Sequence, residues 1–366
     1  MPQRSSLPLR SFRYLATFSI PLGAWATFTD RLSWYWSVPV IAFGAIPVLE
    51  LIIGRRKDHL TAEEEASLLA DPLFDIWLYL LVPVQYALLL LFLRRVELGG
   101  LATSEFLGCI ATMGLLCGIY GINVAHELGH RNRRWERDLA RALLLTSLYM
   151  HFIIEHNRGH HRRVATPDDP ASARFNETVY AFWLRSVVFS WVSAWGLERD
   201  RLQKTGSSIW TPKNEMLQAL AWQGLLVLFI LAVFGPVPVL AFLLAAVMGV
   251  LLLETVNYIE HYGLQRVPLT TGAYGRVLHA HSWNSDHLIG RIMLFELTRH
   301  SDHHWKASRK YQILSGHADA PELPTGYPGM MVLSLIPPLF FRLVHPGLRA
   351  VVEAHPTVRL AKAITS

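Results

Sequence analysis

The chain has 366 residues, of which 52% are hydrophobic and 17% charged, and its formal net charge is +6 at pH 7. The hydrophobic content excludes an ordinary soluble domain, and the charged content excludes a bare bundle of membrane helices. Both cysteines, Cys109 and Cys117, lie in one apolar stretch, which excludes a disulfide framework and a Cys-x-x-Cys metal site. We therefore expect a polytopic membrane protein with a substantial polar cap.

Six apolar stretches meet or approach the roughly 18 residues that a helix needs to cross a membrane. They cover residues 14–29, 36–54, 76–93, 106–125, 216–234 and 237–257. A Gly-Pro-Val-Pro sequence at 235–238 joins the last two as an antiparallel pair. The stretches at 139–154, 182–195 and 330–341 carry arginine or proline and predict buried or interfacial helices. The predicted fold is all-α, with about six transmembrane helices in one domain over residues 1–366.

Basic residues collect at one end of these predicted spans. Arg4, Arg10 and Arg13 precede the first span, and further basic residues follow the second and fourth. Fewer basic residues, among them Arg31 and Arg94, lie at the opposite end. Because positive charge favours the cytoplasmic side, we expect both termini there. Residues 126–215 and 258–366 would then form a cytoplasmic helical cap.

Nine histidines fall into four short segments that adjoin or lie between the apolar stretches. They are His126, His130, His156, His160, His161, His261, His300, His303 and His304. His126 and His130 are four residues apart, so a helix places both rings on one face, where they can hold one ion. The same spacing predicts that His156 pairs with His160. The next side chain, His161, would point about 100° away from His160 around the helix axis, toward a second ion. The segment 300–304 repeats this arrangement.

The number of histidines indicates the kind of metal centre better than their chemistry does. Imidazole binds iron, zinc, copper and nickel alike. A catalytic zinc usually takes three protein ligands, whereas nine histidines supply four or five to each of two ions and leave positions open. We therefore predict two redox-active irons. The neighbouring carboxylates are predicted to orient the imidazoles, and ligation by one of them is left open; they are Glu127, Glu155, Asp169, Glu260 and Asp302.

Two other classes of protein use similar residues. His126-Glu-Leu-Gly-His130 alone would suggest a zinc protease, but a protease needs one further ligand and leaves most of these histidines unexplained. A metal transporter would carry its ionisable ligands along the membrane spans, whereas here they gather at one end.

The four segments together resemble the integral-membrane alkane 1-monooxygenases. The segments read His126-Glu-Leu-Gly-His130, Glu155-His-Asn-Arg-Gly-His-His161, Asn257-Tyr-Ile-Glu-His-Tyr-Gly-Leu264 and Leu297-Thr-Arg-His-Ser-Asp-His-His304. Related membrane desaturases share the general pattern of three histidine boxes. The sequences of the last two segments, however, resemble those of the alkane hydroxylases. Residues 165–174, 282–285 and 323–327 extend the resemblance.

The resemblance implies a non-haem diiron enzyme of the bacterial inner membrane, with its site facing the cytoplasm. Such an enzyme hydroxylates the terminal carbon of an n-alkane, taken from the lipid phase, with O2 and electrons from rubredoxin and its reductase. The sequence contains no flavin or nicotinamide fingerprint, no haem is expected, and no nucleic-acid motif is present. A fatty-acyl desaturase or hydroxylase and an aryl-methyl monooxygenase of the xylene type are the alternatives.

Nine basic residues near the histidines are available to attract an acidic partner such as rubredoxin. They are Arg131, Arg133, Arg134, Arg137, Arg162, Arg163, Lys306, Arg309 and Lys310. The same residues would also anchor the cap to anionic lipid, and the two interpretations are compatible.

Overall fold

The computed structural model describes residues 9–362, so Arg4 lies outside the described part of the chain. The described residues are mostly helical. The α-helices are Ser19–Phe28, Ser37–Ile53, Ala62–Ala70, Leu73–Glu97, Thr103–Gly129, Arg134–Leu145, Phe152–Glu155, His161–Arg163, Val179–Lys204, Glu215–Phe234, Pro236–His261, Leu288–Met293, His300–Trp305, Tyr327–Ser334 and Pro337–Ala354. Two of them contain π-helical turns, Ile41–Ala45 and Cys117–Val124, and a third such turn is His156–His160.

Short elements complete the described chain. Three 3-10 helices cover Arg10–Phe18, His279–His281 and Tyr311–Ile313. Strands Leu264–Arg266 and Val358–Leu360 pair antiparallel, with Leu264 opposite Leu360. This pair connects the segment after His261 to the C-terminal part of the chain.

Four helices are long and apolar enough to cross a membrane. They are Leu73–Glu97, Thr103–Gly129, Glu215–Phe234 and Pro236–His261. They confirm four of the predicted apolar stretches as candidate spans. Residues 14–29 divide between the 3-10 helix Arg10–Phe18 and the α-helix Ser19–Phe28. Residues 36–54 form the apolar helix Ser37–Ile53, which is shorter than the four candidate spans. Their crossing of the membrane therefore stays a prediction.

The helix Glu215–Phe234 presents apolar side chains on its outer surface. Leu225 is 56% exposed, Leu228 61% and Phe229 51%. Exposed apolar side chains over a whole helix are unfavourable in water but suit contact with lipid. This surface therefore agrees with a membrane protein.

The helices Thr103–Gly129 and Pro236–His261 pack closely against each other at small residues. A Cβ atom on Gly249 would lie 2.5 Å from the Cβ atom of Cys117, and one on Gly114 would lie 2.7 Å from the sulfur of Met248. Small residues at such contacts let two helix backbones approach. The approach brings His126 and His261, which lie near the ends of these two helices, to the same region of the molecule.

A buried ion-pair network connects the N-terminal helical segment to residues 291–296. The Glu296 carboxylate accepts hydrogen bonds from Arg291 Nε at 2.7 Å and from the Tyr14 hydroxyl at 2.8 Å. Arg291 also donates to Asp58 at 3.1 Å. Because buried charges are costly unless paired, this network fixes how the segment carrying Tyr14 lies against the residues just before His300.

Candidate metal centre

The structure brings all nine predicted histidines together in two adjacent groups. The first, the five-histidine group, consists of His126, His130, His156, His161 and His303. The second, the four-histidine group, consists of His160, His261, His300 and His304. Within each group the ligand nitrogens lie within 4.8 Å of one another. Each group thus has the donor number and the convergence that one metal ion requires.

Hydrogen bonding among the imidazoles cannot account for the five-histidine group. The Nε2 atoms of His130, His156 and His161 are mutually close, at 3.1 Å, 3.2 Å and 2.9 Å. A neutral ring nitrogen either donates or accepts, but does not do both. Three mutual contacts therefore cannot all be hydrogen bonds, whichever rings carry the proton. Lone pairs that converge on one cation explain the arrangement, and the residues present fit a bound metal.

Burial keeps most of these imidazoles in the neutral form that metals bind. Burial lowers the pKa of His130 to about 3, and nearby positive groups at His160 and Arg131 add to the effect. Burial also lowers the pKa well below its usual range in a further set, His156, His161, His300, His303 and His304. A neutral imidazole offers its lone pair without first losing a proton.

The structure divides the histidines of the second segment differently from the predicted i, i+4 pairing. His156 and His161, five residues apart, belong to the five-histidine group, whereas His160 belongs to the four-histidine group. The cause is the π-helical turn His156–His160, in which residues five apart lie one turn above each other. The i, i+4 pairs His126 with His130 and His300 with His304 do share a group, as predicted.

Asp169 contacts an imidazole as predicted. Nδ1 of His160 donates to the Asp169 carboxylate at 2.9 Å, and the carboxylate also accepts from the Ser172 hydroxyl at 2.6 Å. Burial alone would lower the pKa of His160, but the Asp169 carboxylate raises it above its usual value. The contact fixes the proton on Nδ1 and leaves Nε2 free to face a metal.

Three of the other predicted carboxylates have different partners. Glu127 accepts from the backbone N–H of Tyr311 at 3.2 Å, and Glu155 accepts from Arg163 at 2.7 Å. Asp302 accepts from the backbone N–H of Ser315 at 2.9 Å. Among the described residues, these three carboxylates therefore hold loops and cations around the centre and do not orient any of the nine imidazoles.

Glu260 lies on the inner side of the four-histidine group. Its Oε2 atom is 3.2 Å from Nε2 of His300, the nitrogen that faces the other ligands. Its second oxygen is buried without a hydrogen-bond partner among the described residues. This position suits the alternative that the sequence left open, in which a carboxylate is itself a ligand.

The segment 282–285 supports the centre in a way that spacing did not predict. The Ser282 hydroxyl lies 3.4 Å from Nδ1 of His261, and the Asn284 side chain accepts from the backbone N–H of Ser301 at 2.8 Å. The indole N–H of Trp283 donates to the carbonyl of Tyr262 at 2.9 Å. The only indication of this role in the sequence was that Ser-Trp-Asn-Ser resembles the family's sequence.

A largely apolar cavity adjoins both histidine groups. It has an empty volume of about 940 Å³, and His126 and His156 of one group and His300 of the other line it beside Glu260. Its wall also includes apolar side chains from several helices, among them Ile20, Phe43, Ile46, Leu115, Leu252 and Met293. No lysine or arginine of residues 9–362 lines it.

Several of the nine predicted docking cations are already paired inside the protein. Arg131 contacts Glu127 at 2.8 Å, Arg309 contacts Glu65 at 2.7 Å and Lys310 contacts Asp75 at 2.6 Å. Arg163 is likewise paired with Glu155. These four are therefore engaged within the protein. The exposed cations of the set are Arg133, Arg134, Arg162 and Lys306.

Comparison with known proteins identifies the family. Residues 104–334 match the fatty acid desaturase family model. Alkane 1-monooxygenase 1 of Alcanivorax borkumensis is 39% identical over 85% of this chain and 77% of the relative. Alkane 1-monooxygenase 2 of Pseudomonas aeruginosa is 37% identical over 94% of this chain and 93% of the relative.

A more distant relative belongs to one of the alternative activities. The xylene/toluene monooxygenase hydroxylase component of Pseudomonas putida is 29% identical over 86% of this chain and 83% of the relative. The alkane 1-monooxygenases match at higher identity, and the two histidine groups and the apolar helices agree with them. The chain therefore belongs to the alkane 1-monooxygenases, within the fatty acid desaturase family.

Proposed function

We propose that this protein hydroxylates the terminal carbon of n-alkanes to primary alcohols. One oxygen atom of O2 enters the terminal C–H bond and the other leaves as water, which requires two electrons and two protons from outside the chain. The observation that carries the proposal is the apolar cavity that ends at both histidine groups. Hydrocarbon has no polar group to bind, so a cavity of this kind selects and orients it by shape and by exclusion of water.

The lining of the cavity favours a bare hydrocarbon over a fatty-acyl substrate. Apart from the proposed metal ligands, the polar side chains that the described residues contribute to the wall are Asn123 and Asn257. Asn123 donates to the carbonyl of Leu294 at 3.0 Å, and Asn257 donates to Glu254 at 3.3 Å. Both amides are therefore engaged within the protein. A carboxylate or phosphate headgroup would find no cationic partner in this cavity.

Each histidine group would hold one iron, with Glu260 as a further ligand on the four-histidine side. The bound irons would supply the activation of O2. The chain's own contribution is to hold nine imidazoles in place, to keep His160 in the correct tautomer through Asp169, and to exclude water from the apolar side of the centre. No flavin, haem or nicotinamide is part of the proposal.

The substrate would enter from the membrane through an apolar groove. Phe43, Leu252 and Met331 line both the central cavity and this second, more open groove. The groove borders side chains on the outer apolar surface, where Val247 is 56% exposed and Leu335 42% exposed. A hydrocarbon dissolved in lipid would thus reach the cavity past three apolar side chains without crossing water.

Electrons would arrive from rubredoxin, reduced by its reductase, at a basic surface next to the centre. Arg162 and Arg276 are exposed beside a depression that Asp168 also lines. Arg162 directly follows the ligand His161 and is exposed. This surface complements an acidic protein and lies one residue from a proposed metal ligand.

The proposed arrangement in the cell is a single domain in the bacterial inner membrane. Six spans, at the predicted stretches, would leave the histidine groups in a cytoplasmic cap. Four apolar helices of spanning length support it. The short helices Ser19–Phe28 and Ser37–Ile53 would supply the other two crossings.

The deciding experiment measures products from purified, iron-loaded protein with rubredoxin and its reductase. We expect 1-alcohols from a series of n-alkanes, and none from the His303→Ala variant, which removes a ligand of the five-histidine group. Iron content is measured on the same samples, so that loss of metal and loss of chemistry are separated.

The same assay includes p-xylene and a saturated fatty-acyl substrate. Alcohol from p-xylene with none from any alkane, at two irons per chain, would favour the aryl-methyl activity. A desaturated or hydroxylated acyl product without alkane turnover would favour the acyl activity. Either result would reject alkane hydroxylation.

A further inference from the structure

The segment Leu323-Pro-Thr-Gly-Tyr327 contains none of the proposed metal ligands, yet it borders the centre. Its last residue, Tyr327, is fully buried and begins a short helix. This helix packs against Pro236–His261, the helix that carries Glu260. The residue after Tyr327, Pro328, lines the central cavity together with Glu260. The segment therefore brings a tyrosine side chain to the part of the centre where Glu260 lies.

Two buried oxygen atoms in this region have no other partner. Oε2 of Glu260 lies 3.2 Å from Nε2 of His300, but neither Oε1 of Glu260 nor the Tyr327 hydroxyl has a hydrogen-bond partner among the described residues. Burial raises the pKa of Tyr327 well above its usual range, and the neighbouring Glu260 carboxylate adds to the effect. The phenol therefore keeps its proton and can donate it in a hydrogen bond. Because buried polar groups are normally paired, the phenol and the free carboxylate oxygen are natural partners.

The segment that carries Tyr327 is fixed to the segment that carries a proposed ligand. The backbone N–H of Leu323 donates to the carbonyl of Asn284 at 2.8 Å. The side chain of Asn284 accepts from the backbone N–H of Ser301 at 2.8 Å, and Ser301 directly follows His300. One asparagine thus sets the position of the tyrosine segment relative to the imidazole that Glu260 faces.

The residue before Tyr327 has no room for a side chain. A Cβ atom on Gly326 would overlap with the carboxylate of Glu50, which is fully buried. The same carboxylate accepts from the backbone N–H of Gly290 at 3.0 Å, and Gly290 lines the central cavity. This close approach sets the backbone position from which the Tyr327 ring extends.

We propose that Tyr327 is a positioning residue of the metal centre: its hydroxyl donates a hydrogen bond to Oε1 of Glu260 and so directs Oε2 toward the metal ion of the four-histidine group. Carboxylates that bind metals are commonly held by hydrogen bonds of this kind. Asp169 orients His160 of the same group through a comparable contact. The inference rests on the proposed metal centre with Glu260 as a ligand, but not on an alkane as its substrate.

The test compares Tyr327→Phe, which removes only the hydroxyl, with Tyr120→Phe. Tyr120 is similarly buried, and its hydroxyl donates to the carbonyl of Thr17 at 2.7 Å. In protein loaded with isotopically enriched iron, we expect Tyr327→Phe to change the Mössbauer signal of one of the two iron sites. Release of that iron to a chelator should become about 10–100-fold faster. Tyr120→Phe should show the wild-type signal and the wild-type release rate.

A double-mutant cycle with Glu260→Gln separates the proposed role from a general loss of packing. If the hydroxyl acts through Glu260, Tyr327→Phe should not accelerate iron release further in the Glu260→Gln background. Additive effects of the two substitutions would overturn the inference, as would a Tyr327→Phe protein with the signal and release rate of wild type. Absence of alkane hydroxylation by wild-type protein with both irons bound would reject the proposed function and leave these comparisons unaffected.

Discussion

At the scale of single residues, one carboxylate controls the protonation of one ligand. Asp169 is buried and binds the Nδ1 proton of His160, so that Nε2 faces the four-histidine group. Its neighbour Asp168 is exposed and provides a matched comparison. Carboxylates in this position typically affect metal affinity by about 10–100-fold.

We expect Asp169→Asn to weaken iron binding by about 10–100-fold, because an amide removes the charge and offers a competing N–H to His160. Asp168→Asn should leave iron binding unchanged. Iron content and the rate of iron release to a chelator measure the difference. Equal release from the two variants would show that Asp169 has no part in metal retention.

The identity of the nine histidines could be predicted from sequence, but their division between two groups could not. His126 and His130 follow the i, i+4 rule, whereas His156 and His161 share a group only because a π-helical turn separates them by one extra residue. Such a turn leaves no mark in the spacing of residues.

At the scale of helices, the close contact of Thr103–Gly129 with Pro236–His261 sets the relative position of His126 and His261. The contact depends on Gly249, at which an added Cβ would lie 2.5 Å from the Cβ atom of Cys117. Gly224, in the helix Glu215–Phe234, has nothing within 4 Å of an added Cβ. Substitution of Gly224 by alanine changes helix propensity alone, whereas substitution of Gly249 also changes the packing of two helices.

We expect Gly249→Ala to lower the free energy of unfolding by about 1–3 kcal/mol, because the helices must move apart. Gly224→Ala should leave it unchanged or raise it by up to about 1 kcal/mol, because alanine favours the helix. Thermal unfolding in detergent measures both. A Gly249→Ala variant as stable as Gly224→Ala would contradict the packing argument.

The sequence predicted the long helices better than the short ones. Four apolar stretches are continuous helices, and three of them continue past the predicted ends, to Glu97, Gly129 and His261. The stretch 36–54 carries Pro39 and Pro47 and contains a π-helical turn. Local backbone geometry of this kind depends on packing that hydropathy does not record.

At the scale of the whole molecule, the orientation in the membrane is open to a direct test. Both native cysteines are buried, so an impermeant maleimide should label only cysteines that are introduced at the surface. Asn132 is exposed just beyond the five-histidine group, and Leu98 is 62% exposed at the far end of the helix Leu73–Glu97. In the proposed orientation these two positions lie on opposite sides of the membrane.

We expect Leu98→Cys to be labelled in intact cells and Asn132→Cys only after the membrane is opened, because basic residues favour the cytoplasmic side. The unsubstituted protein is the control for background labelling. The reverse pattern would place the histidine groups outside the cytoplasm and would contradict the proposed orientation.

The basic surface beside the centre gives a second prediction at this scale. We expect Arg162→Glu to raise KM for rubredoxin by about tenfold or more at low salt, with KM for alkane unchanged, because charge complementarity acts on the encounter of the two proteins. Arg94→Glu, at the opposite end of the helices, is the charge-matched control. Steady-state rates at varied rubredoxin and salt concentrations measure the effect, and equal KM values for the two variants would reject this docking surface.

The division of the proposed ligands within short segments would couple the two proposed metal ions. Residues 156–161 supply ligands to both groups, and so do residues 300–304. An ion bound in one group immobilises backbone that the other group also needs, so it lowers the entropic cost of binding the second ion. Loading should therefore be cooperative: at limiting iron, a population would contain mainly chains with no iron and chains with two, and few with one.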